Sequence, residues 1–246
     1  MKELEEQLDR IYDRFFEDLN IDKTTGRFHD SKINKRFATK IAIGSHYPNS
    51  KKKILFVSFD MGKDELLVEC QEDRFQNFDE RREAVCSDNM NKNPHMAGVY
   101  GTALYFLKDT NGWEEKWNLL VAEDSHFKTA MLSLQHELPN DVLDYIALVN
   151  FYSFVTVGRE GRSGDNDRCF IDEQKEIQLL IDTIKTISPD VIIVQSRSLQ
   201  GYFTNLIKPM INPSTEIYVG VHPSILGSNI HLRKPKSYIE DLEKLN

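Results

Sequence analysis

The chain has 246 residues, 40% of them hydrophobic and 28% charged, with a formal net charge of −8. That length suits one large domain with a substantial core, and the composition is that of an ordinary soluble protein. No run approaches the length of a bilayer span, and the acidic start MKELEEQLDR lacks the basic-then-apolar form of a signal peptide, so no membrane partner is expected and the location expected is cytoplasmic.

Taken in chain order, Leu4, Leu8, Ile11, Tyr12, Phe15, Phe16 and Leu19 recur at helical spacing, which reads as an amphipathic helix. Residues 1–50 thus form an N-terminal helix and a basic extension, ending near a turn at His46-Tyr47-Pro48-Asn49-Ser50. Ile54-Leu55-Phe56-Val57-Ser58 is a short apolar run suited to a buried strand. The charge-dense stretch within 69–95 reads as an insertion or a mobile loop, and helical patterns follow at Ala103 to Lys108 and Phe127 to Glu137.

Tyr145 to Val149 reads as a second strand, followed by a Gly/Arg/Asp-rich loop from Gly158 to Arg168. Ile171 to Ile187 is helical, with Ile177, Leu180, Ile181 and Ile184 on one face and Ser188-Pro189 as its stop. Val191 to Val194 is a third strand, Leu199 to Ile207 a helix, Glu216 to Val221 a fourth strand and Tyr238 to Leu245 a last helix. Strands alternating with helices predict an α/β fold, a three-layer sandwich with a central, mostly parallel four-stranded sheet flanked by helices. With no internal repeat or linker, residues 1–246 are expected to form a single domain.

Cys70, Cys86 and Cys169 contain no CxxC pair, so neither a zinc site nor a disulfide framework is indicated and no metal is expected. The acidic total argues against a nucleic-acid partner, yet its distribution softens that objection. From Ser31 to Phe59 there are seven basic residues (Lys32, Lys35, Arg36, Lys40, Lys51, Lys52, Lys53) and no acid. From Val191 to Ile239, Arg197, Lys208, Arg233, Lys234 and Lys236 face Glu216 alone. A basic face can meet phosphate while the total is acidic, although solvated lysines explain any single residue as well.

Ligands of open parallel sheets bind beyond the carboxyl ends of the strands. Those ends carry Phe59-Asp60-Met61-Gly62-Lys63, Asn150-Phe151-Tyr152, Gln195-Ser196-Arg197-Ser198 and His222-Pro223-Ser224. A carboxylate, an amide and an imidazole therefore reach one edge. Taken singly, Asp60 can be a helix cap, Asn150 a turn former and His222 a hydrogen-bonded structural histidine.

Val57-Ser58-Phe59-Asp60-Met61-Gly62 resembles the first motif of the uracil-DNA glycosylase superfamily, written GQDPYH in one branch and GINPG in another. Ala147 to Val157, with Asn150 in it, resembles the family's LLLNxxLTV segment, and Val221-His222-Pro223-Ser224-Ile225-Leu226-Gly227 resembles its closing AHPSPLS motif. The resemblance spans about Ile54 to Lys236 and implies a monomeric, cofactor-free enzyme that excises a flipped uracil or modified pyrimidine from DNA. It implies that Asp60 orients water and stabilises a cationic sugar, and that Asn150, with Phe59 and Gly62, contacts the base. His222 would donate to a base oxygen. Ser196, Arg197, Ser198 and Ser224 fall where the family contacts phosphate, and Leu226 where it inserts an apolar wedge, although a core role suits Leu226 equally.

Met61 replaces the family's proline, and Gly62 stands where the uracil-specific branch has tyrosine, which implies room for a pyrimidine larger than uracil. Arg159, Arg162 and Arg168 suit phosphates or a charged base substituent, but Glu160, Asp165 and Asp167 balance them, so an internal ion-pair network fits equally. His95 and Tyr100-Gly101-Thr102 are further pocket candidates. Two other functions stay open: a noncatalytic nucleic-acid or nucleotide-binding module, and an enzyme of small nucleotides or sugar phosphates.

Overall fold

The computed structural model describes residues 1–30, 37, 40–59, 94–154, 172–225 and 227–246. Its elements are α1 (Lys2–Asp18), β1 (Ala42–Ile43), β2 (Ile54–Ser58), α2 (Pro94–Asn111), α3 (Glu114–Ala122), α4 (Phe127–Ser133), β3 (Ile146–Asn150), α5 (Glu173–Ile187), β4 (Val191–Val194), α6 (Gln200–Tyr202), β5 (Glu216–Val219), α7 (Pro235–Asp241) and β6 (Glu243–Lys244). Most of the expected 69–95 insertion lies outside the described residues; Pro94 and His95 open α2.

The fold is α/β, with a mixed sheet flanked by helices. The four expected strands pair in parallel. The sheet nevertheless has six strands, in the order β1-β3-β2-β4-β5-β6, because two-residue antiparallel strands close both margins. Neither outer strand is long enough to show a period in the sequence. A second correction concerns the last helix, expected over Tyr238 to Leu245: it starts at Pro235, stops at Asp241, and the chain then turns into β6.

Every residue of β2, β3 and β4 is buried, which is why these strands read as continuous apolar runs rather than alternating ones. Alternation decides the layers. Phe56, Leu148 and Ile193 join Val99, Ala103, Leu107, Leu120 and Met131 of α2 to α4 on one face. Val57, Val149 and Val194 join Leu180, Ile181, Ile184 and Phe203 on the other. A third, aromatic cluster holds α1 to the body: Phe37, fully buried, meets the rings of Tyr12, Phe15, Phe16 and Phe154 at centroid distances of 5.9, 5.9, 4.9 and 5.7 Å.

Local signals set the ends of α5. The Asp172 side chain accepts from the Lys175 backbone N–H at 3.1 Å, and Ser188 takes a left-handed φ of 45° before Pro189 prevents continuation. The predicted helix from Leu199 to Ile207 is a composite, three α residues (α6) running into a π stretch, Phe203–Ile207. No helix among the described residues is long and apolar enough to cross a membrane.

Candidate functional site

The parallel register brings separate chain segments to one level. Ser58 pairs with Asn150. Val57 pairs with Val194, so Gln195 follows at the same height, and the Gln195 N–H donates to Val57 O at 2.9 Å. The site lies between β2 and β4, where the crossovers run to opposite sides: β2 leads to β3 and β4 leads to β5. Such a switch point opens a crevice between the strand ends.

Period-two geometry also selects the face. Ser58, Asn150 and Gln195 each stand two residues beyond Phe56, Leu148 and Ile193, which pack under α2. All three polar residues are buried, at 4%, 5% and 0% exposure. Three polar side chains in line at the end of an apolar face need partners, because an unmade hydrogen bond in such a place costs about 1–3 kcal/mol.

The first turn of α2 supplies one of them. Ser58 Oγ donates to Gln195 Oε1 at 2.9 Å, and His95 Nε2 lies 2.9 Å from the same oxygen. A carbonyl oxygen only accepts, so His95 Nε2 carries a proton. The His95 ring then stacks on His222, with centroids 4.6 Å apart and planes 23° from parallel. Gly98, three residues on, lets the helix reach the His222 turn: a Cβ there would stand 2.1 Å from Pro223 Cβ.

His222 is fixed from its own side as well. The Ser224 backbone N–H donates to His222 Nδ1 at 3.3 Å, and Ser224 Oγ lies 2.8 Å from the same atom. Since a backbone N–H can only donate, Nδ1 accepts and the neutral ring holds its proton on Nε2. Burial pushes the His222 pKa down to about 4, so at neutral pH this side chain is an uncharged Nε2–H donor. The buried Tyr238 hydroxyl donates to Val221 O at 2.9 Å, securing the residue before it.

Behind Asn150 the chain is tied at successive residues. Phe151 N–H donates to Ser58 O at 2.8 Å, Tyr152 N–H to Phe59 O at 3.0 Å, and Ser153 N–H to the buried Glu176 carboxylate at 3.1 Å. The amide is thus presented from a backbone with little freedom.

Of the residues singled out from the sequence, Asn150 and His222 come to the same edge and the same side of the sheet. Phe59 does not join them, for it packs edge-on against Tyr152, 5.1 Å between centroids, on the α5 side. Ser196 and Ser198 are hydrogen-bonded to each other at 2.8 Å on the next turn. Arg197 is held by Asp241 at 2.6 Å. Ser224 serves His222. Asp60 and Gly62, Arg159, Arg162 and Arg168, and Leu226 lie outside the described residues.

Gln195 stands out in the sequence at a strand end and Ser58 within the first motif, but neither has a role assigned from the sequence, although the alternation that buries Phe56 and Ile193 carries both onto the Asn150 face. Of the further candidates only His95 belongs to the site. Tyr100 donates to Pro139 O, Gly101 abuts Phe127, and Thr102 bonds back to Gly98 O, all within the helical layer.

Several of the described cations in the two basic stretches stand away from the strand ends or are paired with carboxylates. Lys51, Lys52 and Lys53 precede β2, at the opposite end of the sheet from Ser58. Lys40, Lys234 and Lys236 are paired with Asp9, Asp124 and Glu240 at 3.0, 2.8 and 3.9 Å. The three cysteines lie outside the described residues, among which no group of three or more His, Cys, Asp or Glu converges on a metal position. An open groove of about 680 Å³ between α1 and α5, lined by Arg10, Arg14, Phe15 and Leu179, is separate from the strand ends.

Compared with known proteins, the chain matches no family model, no curated protein and no solved structure.

Proposed function

We propose that the chain is a DNA glycosylase of uracil-DNA glycosylase-like fold, a monomer that hydrolyses the bond between deoxyribose and a flipped uracil or modified pyrimidine. The observation that supports this most is that Asn150 and His222, a buried amide and a neutral Nε2–H donor, come from distant parts of the chain to the same edge and the same side of the sheet. An amide offers both a donor and an acceptor, which suits a pyrimidine's Watson–Crick edge. A neutral donor suits the oxygen of a departing base, because it meets the developing negative charge without first binding the base as an ion pair. Donors of this kind contribute about 10²–10³ in rate. In this reading Asp60, directly after Phe59, stabilises the cationic sugar and orients water.

The test is base release from duplexes and single strands carrying uracil or 5-substituted pyrimidines. Abasic sites should form with the native protein. Asp60→Ala and Asn150→Ala should abolish them, the former without loss of binding. Release confined to uracil would count against the roomy pocket inferred from Gly62.

The pairing of Arg197, Lys234 and Lys236 with carboxylates favours a second reading, an enzyme acting on a small nucleotide or sugar phosphate at the same crevice, since such a ligand needs no extended basic face. Saturable binding of free nucleotides with no salt-sensitive DNA binding would select it.

A further inference from the structure

One contact from outside its own turn meets the His222 ring, the His95 stack; two further features support that stack, and the proposed reaction gives none of them a task. His95 is anchored in the sheet by Gln195, which also receives Ser58. Its ring lies nearly parallel to that of His222. Gly98 removes the side chain that would keep α2 from Pro223. Near-parallel stacking supplies no hydrogen bond between the rings; it covers one face and limits rotation about the His222 side-chain bonds. Ser224 fixes which nitrogen holds the proton, but a contact along the ring edge leaves the plane free to swing.

We infer that His95 is a positioning residue for His222: anchored on Gln195 and Ser58, it sets the plane in which His222 presents Nε2–H to the crevice and keeps water from that face. The inference rests on the base-excision reading, in which His222 Nε2–H meets a base oxygen. His95 itself donates to Gln195 and transfers no proton. Among the described residues, the titratable group stacked on the His222 ring is His95 of α2. Tyr238 of α7 reaches the Val221 carbonyl, and Ser224 meets the ring edge.

The experiment is long-range ¹H–¹⁵N spectroscopy of histidine-labelled full-length protein, run beside the base-release assay on the native chain, His95→Ala and His95→Phe. The native protein is expected to show His222 as the Nε2–H tautomer, with a midpoint near 4. His95→Ala uncovers the ring, so the midpoint should rise by at least about one unit toward the ordinary value. Base release should fall about tenfold or more, in kcat rather than in KM. His95→Phe restores the cover without the anchor and should return the midpoint close to native. If His95→Ala does not fold, His95→Gln, which can still donate to Gln195, should give the same rise. An unchanged His222 tautomer and midpoint in a folded variant lacking the ring would overturn the inference, whether or not bases are released. No base release from any duplex, with the imidazole signals behaving as expected, would leave the positioning role intact and remove the glycosylase reading.

Discussion

Gly98→Ala turns the contact between α2 and the His222 turn into a question of sign. At an unobstructed helical position the change stabilises, by up to about 1 kcal/mol, because alanine loses less backbone entropy than glycine. At Gly98 the new Cβ would stand 2.1 Å from Pro223 Cβ and 3.0 Å from Cγ. Carbon atoms rest at about 3.5–4.0 Å, so helix and turn must part by about 1.5 Å. Pro223 is buried in a ring-constrained turn and has no flexible end to move aside. Overpacking of this kind costs about 1–3 kcal/mol, which outweighs the helix gain. For a chain of this size a net loss of up to about 2 kcal/mol lowers Tm by up to roughly 8 °C. The comparison is Gly201→Ala, also helical, with nothing within 4 Å of the added atom; it should hold or raise Tm. Thermal unfolding of both variants decides the matter, and the His222 signal of Gly98→Ala should move as the stack opens. A Gly98→Ala protein as stable as Gly201→Ala would refute the close-packing argument.

Three further outcomes follow from the same geometry. His222 has a folded pKa near 4 against an ordinary 6.5, so between these values the unfolded chain binds more protons; stability should fall as pH drops from about 6.5 to 4, by up to about 3 kcal/mol, and His222→Phe should flatten this part of a urea-denaturation profile against pH. Phe37→Ala removes the ring at the centre of the α1 cluster and should cost about 3–5 kcal/mol by the same urea titration, a loss under about 1 kcal/mol being incompatible with that packing. Arg197→Ala leaves the largely buried Asp241 carboxylate without its cation and should cost about 1–3 kcal/mol; if Arg197 instead contacts phosphate, the variant will chiefly reduce the salt dependence of DNA binding.

The parallel strands were legible because burial on both faces leaves an uninterrupted apolar run, as in Val191 to Val194, and α5 because Asp172 and Ser188-Pro189 mark its ends. The first half of α2 was not legible. From Met96 to Leu104 every residue is buried, so the segment lacks a polar face, and Gly98 and Gly101 weaken its helical signal although both serve close packing. At the site, Asn150 and His222 stood out by chemical type and by their place after strands. Gln195 and Ser58 are commonplace residue types, and only the sheet register reveals that they share an oxygen with a histidine a hundred residues away. The salt partners of the basic residues could not be foreseen either, because pairs such as Lys234 with Asp124 link distant segments.

The two-residue outer strands have a consequence for how this molecule keeps company with copies of itself. A sheet margin exposes backbone donors and acceptors that can template a foreign strand, a route to aggregation. Here the parallel strands at risk, β3 and β5, are each covered by an antiparallel partner. At one margin that partner is Glu243–Lys244, both exposed and oppositely charged. Each cover is too short to offer a new strand more than a bond or two. The most apolar and most sheet-competent part of the protein is thereby enclosed by segments that cannot propagate it.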